Sequence, residues 1–110
     1  MARLIWSRPA LSDLEEIAEY IALDNPPAAS RYVRKVFSAV ERLKRYPNSG
    51  RLPGELPSTP YRELIVPPCR VFYRADEDDV FILHVMRSER LLRSFLLEQR
   101  GDVLQRRRAR

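Results

Sequence analysis

The sequence predicts an α+β fold: an N-terminal strand, an antiparallel helix hairpin, a three-stranded antiparallel meander and a C-terminal helix. Three observations predict it. Between Pro9 and Leu43 apolar residues recur at helical spacing, whereas from Tyr61 to Arg87 runs of β-branched and aromatic residues are broken only by Pro67-Pro68 and by Asp76 to Asp79. The third is size: 110 residues suit one domain with one core.

Each element has a local reason. Arg3 to Trp6 is a short strand. Ser7 can cap a helix with Pro9 in its first turn, and Ala10, Leu14, Ile17, Ala18 and Ile21 form its apolar stripe while Asp13, Glu15, Glu16 and Glu19 face away. That helix is expected over Pro9 to Leu23. Asn25-Pro26-Pro27 ends it and starts another, whose stripe is Ala29, Val33, Val36, Phe37, Val40 and Leu43 and which stops before Pro47. A connection so short makes the two helices antiparallel. Pro47-Asn48-Ser49-Gly50 turns the chain, and a loop with Pro53, Gly54, Pro57 and Pro60 delivers it to strands at Tyr61–Val66, Arg70–Arg74 and Val80–Arg87. Ser88 can cap a last helix with Leu91, Leu92, Phe95 and Leu96 on one face, weakened at Gly101. Residues 1–100 are read as a single domain and 101–110 as a basic, disordered tail.

Composition excludes several chemistries. No apolar run approaches a membrane span and no signal peptide opens the chain, so a cytoplasmic protein without a membrane partner is expected. One cysteine, Cys69, and one histidine, His84, furnish neither a disulfide nor an ordinary zinc site, and no metal or cofactor is expected. The net charge of +5 resides at the end of the chain: residues 87–110 hold eight arginines against Glu89, Glu98 and Asp102, and the rest is neutral. Trp6 and Phe37 read as core, and Cys69 as a small filler.

The meander carries an unusual density of arginine among apolar residues. Alternation puts Arg62, Leu64 and Val66 on one face of its first strand, and Arg70, Phe72 and Arg74 on one face of its second. If those faces coincide, one side gathers three guanidinium groups, and Tyr61, Ile65, Val71 and Tyr73 pack on the hairpin. A buried guanidinium is costly unless an anion meets it. The arginine side therefore needs a cover, either the last helix or, as preferred here, another chain. His84, between Leu83 and Val85, reads as a satisfied strand histidine rather than a general base.

Trp6, Ala10, Asp13-Leu14, Ile17, Tyr20-Ile21, Asn25-Pro26, Ala28-Ala29, Leu43, Pro47, Gly50-Arg51, Tyr61-Arg62-Glu63-Leu64, Arg70-Val71, Tyr73-Arg74 and Val80-Phe81-Ile82-Leu83 together resemble the ParE/RelE superfamily of type II toxins. The resemblance covers residues 4 to 90 and implies a RelE/ParE-like fold. It also implies a cognate ParD-like antitoxin that neutralises the toxin, with operator DNA reached only through that antitoxin.

Two activities occur in such a superfamily. RelE-like members cut messenger RNA on the ribosome, using basic residues on the meander and a tyrosine or histidine near the C-terminus. Here Arg62 and Arg70 keep two cationic places, but Leu64 stands where a further base would be, and no tyrosine follows Tyr73. ParE-like members resemble non-enzymatic poisons of DNA gyrase, and the hairpin with Asn25-Pro26 and the Tyr-Arg-Glu-Leu strand is closer to that branch. The chain departs from it at Cys69, where a tyrosine is common, and at Arg87 and Ser88, where a histidine and a glycine are, with Arg90 at the place of the arginine that follows them. An inactive relative that only binds its antitoxin is the remaining alternative. The resemblance implies a target- or antitoxin-binding surface of Arg62, Leu64, Arg70, Phe72, Arg74, His84, Arg87, Arg90, Leu92 and Phe95.

Overall fold

A computed structural model describes residues 1–56, 58–90, 92 and 94–108, with backbone alone at Ser94, Phe95 and 105–108. The order is β1 (Arg3–Trp6), α1 (Arg8–Ala22), α2 (Pro26–Glu41) continued by one 3₁₀ turn (Arg42–Lys44), β2 (Tyr61–Val66), β3 (Cys69–Asp76), β4 (Asp79–Arg87) and α3 (Ser94–Arg108). This is the expected α+β order.

Capping residues set the helix starts. The Ser7 hydroxyl accepts from the Ala10 amide at 3.1 Å, and the Asn25 side chain accepts from the Ala28 amide at 3.1 Å, each satisfying an amide that the first turn leaves without a carbonyl. Pro9 and Pro26 occupy first-turn positions that need no donor.

The four strands form one sheet in the order β1-β4-β3-β2, with β1 parallel to β4 and the other pairs antiparallel. On one face α1 and α2 pack over Leu64, Val66, Cys69, Val71, Tyr73, Val80, Ile82 and Val85. Tyr32 ties α2 to the sheet by donating to the Val66 carbonyl at 2.6 Å. On the other face lies a second apolar layer, Tyr61, Phe72, Phe81, Leu83 and Met86, which Leu92 and Leu97 cover from the C-terminal end of the chain. Phe37 is more exposed than expected, and its ring tilts against Trp6 at 4.9 Å between centroids at the margin of the hairpin.

Register changes the expected faces. Val66 pairs with Cys69 across the two-residue Pro67-Pro68 turn, so Leu64 opposes Val71 and Arg62 opposes Tyr73. Paired residues share a face. Arg62 and Leu64 therefore lie on the hairpin side, while Tyr61 joins Arg70, Phe72 and Arg74 on the other side and Ile65 is exposed, opposite to the expected grouping. The cover over the arginine side is the protein's own α3 rather than a second chain.

Two further differences concern α3. It begins at Ser94 rather than at Ser88, and the residues after β4 are first tied to the loop before β2 through the Leu92 amide, which donates to Glu55 at 3.1 Å. It also passes through Gly101 to Arg108. Gly101 is buried, and a Cβ there would sit 3.1 Å from an Arg74 guanidinium nitrogen, so glycine admits the helix to close range. Leu91 lies outside the described residues.

Candidate functional site

Arg70 is the centre of the α3-side face. Its Nε donates to Glu63 Oε2 at 2.8 Å, its Nη2 and Nη1 reach the two Glu55 oxygens at 2.7 and 2.9 Å, and Nη1 also donates to the Arg90 carbonyl at 3.2 Å. Glu63 is only 1% exposed and takes a further bond from Arg51 Nε at 2.8 Å. One buried cation thus meets two carboxylates, and the hydrogen bond from Arg70 holds the Glu55 carboxyl down at about 2. A guanidinium so enclosed is part of the fold.

The remaining expected residues separate into groups. Phe72 is fully buried, with the Arg70 guanidinium 4.8 Å from its ring centroid. Arg74 lies over the Phe81 ring at 5.3 Å, and its Nη2 is buried with no hydrogen-bond partner among the described residues. Leu92 is buried in the same layer. Arg62 points to the loop before β2, donating to the Gly50 carbonyl at 2.9 Å, and Leu64 is core under the hairpin. Arg87 is half-buried and pairs with Glu89 at 2.7 Å. The Phe95 side chain lies outside the described residues. These residues do not form the single surface the resemblance implied, because register and internal pairing divide them.

His84 anchors a second constellation, and Asp13 and Arg100 in it were missed. Tyr73 pairs with Ile82 and Phe72 with His84, which leaves Leu83 as an extra residue in β4. This bulge frees the Leu83 carbonyl, which accepts from Arg100 Nη1 at 3.0 Å. The same nitrogen is 2.8 Å from Asp13 Oδ2 and 2.7 Å from His84 Nδ1, and Asp13 Oδ2 is 2.8 Å from Nδ1 and accepts the Val85 amide at 3.1 Å. Burial raises the Asp13 carboxyl, but the bonds from His84, Arg100 and the Val85 amide outweigh it and hold it below its ordinary range. Asp13 does not face away from the core as expected: three residues after Ala10 and four before Ile17, it borders the apolar stripe of α1 and turns toward β4. Asp13 and His84 line an open groove of 750 Å³ with Ile17, Tyr20, Arg87 and Arg90 around it.

Cys69 is buried, and burial pushes its thiol up, so it carries no nucleophile. Among the described residues no group of three or more His, Cys, Asp or Glu side chains is placed to hold a metal ion. No described helix is long and apolar enough to cross a membrane.

The depressed carboxyls set an acid limit. A carboxyl lowered in the folded state contributes stability that is complete above its unfolded pKa, about 4.3 for glutamate, and lost as pH falls toward the folded value. The melting temperature is expected to drop as pH falls from about 5 toward about 2, and Glu55→Gln should flatten that drop. Thermal melts of both proteins across the range measure it; parallel curves would contradict the assignment.

A helix hairpin on one face of a mixed four-stranded sheet, closed by a helix on the other, is the scaffold of the ParE/RelE superfamily of toxins. Comparison with known proteins agrees and narrows the class. The family described as ParE toxin of type II toxin-antitoxin system, parDE, matches residues 4–92. Y4kP of Sinorhizobium fredii is 44% identical over 88 residues, covering 78% of this chain and 88% of that protein. Toxin RelE2 of Caulobacter vibrioides is 35% identical over 92 residues, 83% of this chain and all (100%) of that protein. Toxin ParE3 of the same organism is 31% identical over 87 residues, 78% of this chain and 86% of that protein. A solved chain from the chromosomal ParDE system of P. aeruginosa superposes with a TM-score of 0.68 at 26% identity, covering 81% of this chain and 98% of that one. The chain belongs to the ParE toxin family of type II toxin–antitoxin systems.

Proposed function

We propose that this toxin is neutralised by a ParD-like antitoxin and acts by binding and poisoning DNA gyrase, without cleaving RNA itself. One observation carries the choice: the two meander arginines that could face a phosphate are engaged within the molecule, Arg70 by Glu55 and Glu63 and Arg62 by the Gly50 carbonyl. Phosphodiester cleavage needs cations aimed at the developing charge of the pentavalent phosphate. Leu64, where a further base would be useful, is buried beneath the hairpin. A binding toxin needs none of this.

A ribosome-dependent nuclease of RelE type is the second reading, favoured by one feature, the Asp13–His84 pair beside a cationic side chain at an open groove. The purified toxin, freed from its antitoxin, is expected to inhibit supercoiling by gyrase and to accumulate cleaved DNA. Undisturbed supercoiling together with ribosome-dependent cuts in messenger RNA would replace this reading with the second. Undisturbed growth on expression without antitoxin would indicate an inactive antitoxin-binding relative.

A further inference from the structure

The polar contacts around His84 contain a conflict over a single proton. Asp13 Oδ2 already accepts from the Val85 amide and from Arg100, which uses both lone pairs of that oxygen. His84 Nδ1 lies 2.7 Å from the Arg100 donor and 2.8 Å from Asp13 Oδ2, so it accepts from the guanidinium only when bare and donates to the carboxylate only when protonated. A proton on Nδ1 would turn that contact into donor against donor, and the new N–H would compete with Arg100 for the oxygen 2.8 Å away.

Arg100 belongs to α3, whose seat on the sheet is narrow. Leu97 and Gly101 are buried and Leu104 is half-buried, whereas Glu98, Gln99, Asp102 and Val103 face outward. The bonds from Arg100 to Asp13 of α1 and to the bulge carbonyl of Leu83 are therefore a large share of what fixes its second half.

We propose that His84 is a proton-operated latch: protonation at Nδ1 transfers Asp13 from Arg100 to the imidazolium and loosens α3 from the sheet. Every element around the imidazole contributes to the balance. Asp13, Glu16 and Tyr20 come from α1, Arg87 from β4, Arg90 from the turn after it and Arg100 from α3, while β3 offers only the Phe72 ring, stacked 5.9 Å away. Since Asp13 serves whichever cation wins, both states are supported, and the exchange of partners couples charge to helix position.

Because His84 is the only histidine, the full-length protein reports on it directly. In a proton NMR titration between about pH 8 and about pH 5, the amide shifts of residues 98–104 are expected to follow the same midpoint as the imidazole Cε1 proton. Hydrogen exchange, corrected for intrinsic rates, should show protection in α3 falling about tenfold across that range while β3 and β4 are unchanged. His84→Gln should remove the pH dependence, with His84→Asn as the alternative if the glutamine variant does not fold. Amides of α3 that ignore the histidine midpoint, or a loss of protection that persists in the variant, would overturn the latch.

Discussion

Arg70→Met is expected to destabilise the fold by roughly 3–5 kcal/mol, since removing one partner of a buried ion pair leaves charge without compensation. Glu63 is 1% exposed and Arg70 is 7% exposed, so water cannot replace the lost bonds. Arg51 still reaches Glu63, but its own side chain is largely exposed, and Glu55 loses its principal contact. With folding free energies of about 5–15 kcal/mol for such domains, this is a large fraction of the total. Urea denaturation measures it. In a double-mutant cycle, Glu63→Gln should make the Arg70 substitution less costly than in the parent. Toxicity should disappear together with the fold. A variant that unfolds like the parent yet loses toxicity would restore Arg70 to a target-binding role.

Phe72→Ala should cost a comparable amount, about 3–5 kcal/mol, because a fully buried aromatic ring leaves a cavity that its neighbours cannot fill. The ring meets both the Arg70 guanidinium and the His84 imidazole, so truncation also weakens two polar constellations. Phe72→Leu keeps most of the volume and should cost less than about 1.5 kcal/mol. Growth assays separate packing from recognition. If the leucine variant folds and remains toxic, Phe72 is core; if it folds with the parent's stability and is harmless, the ring contacts a partner.

Much of this architecture was legible in the chain. Arg3–Trp6 and Tyr61–Val66 have the expected strand boundaries, and Ser7 and Asn25 cap the helices they were expected to cap, because these signals are local. Face assignment was not legible from alternation alone, since both faces of β2 are apolar enough to be core. A better signal was available: Pro67-Pro68 leaves a two-residue turn, and counting outward from Val66 and Cys69 places Arg62 opposite Tyr73. Asp13 could have been found from its spacing to Ala10 and Ile17. Glu55 could not, as a carboxylate in a Pro- and Gly-containing loop has no periodicity to reveal that the loop folds back onto Arg70. Arg100 was concealed for a related reason: only the bulge at Leu83 creates the carbonyl it meets, and a bulge leaves no pattern in the residue order.

The parallel pairing of β1 with β4 bears on how the protein is made. Arg3 meets Asp79 across 76 positions of chain, so the first strand has no strand partner until the last has been synthesised. A ribosome that has released only the hairpin has released two helices with no surface to lie on. A chain that ends before β4 is thus expected to remain unfolded rather than to act as a shortened toxin.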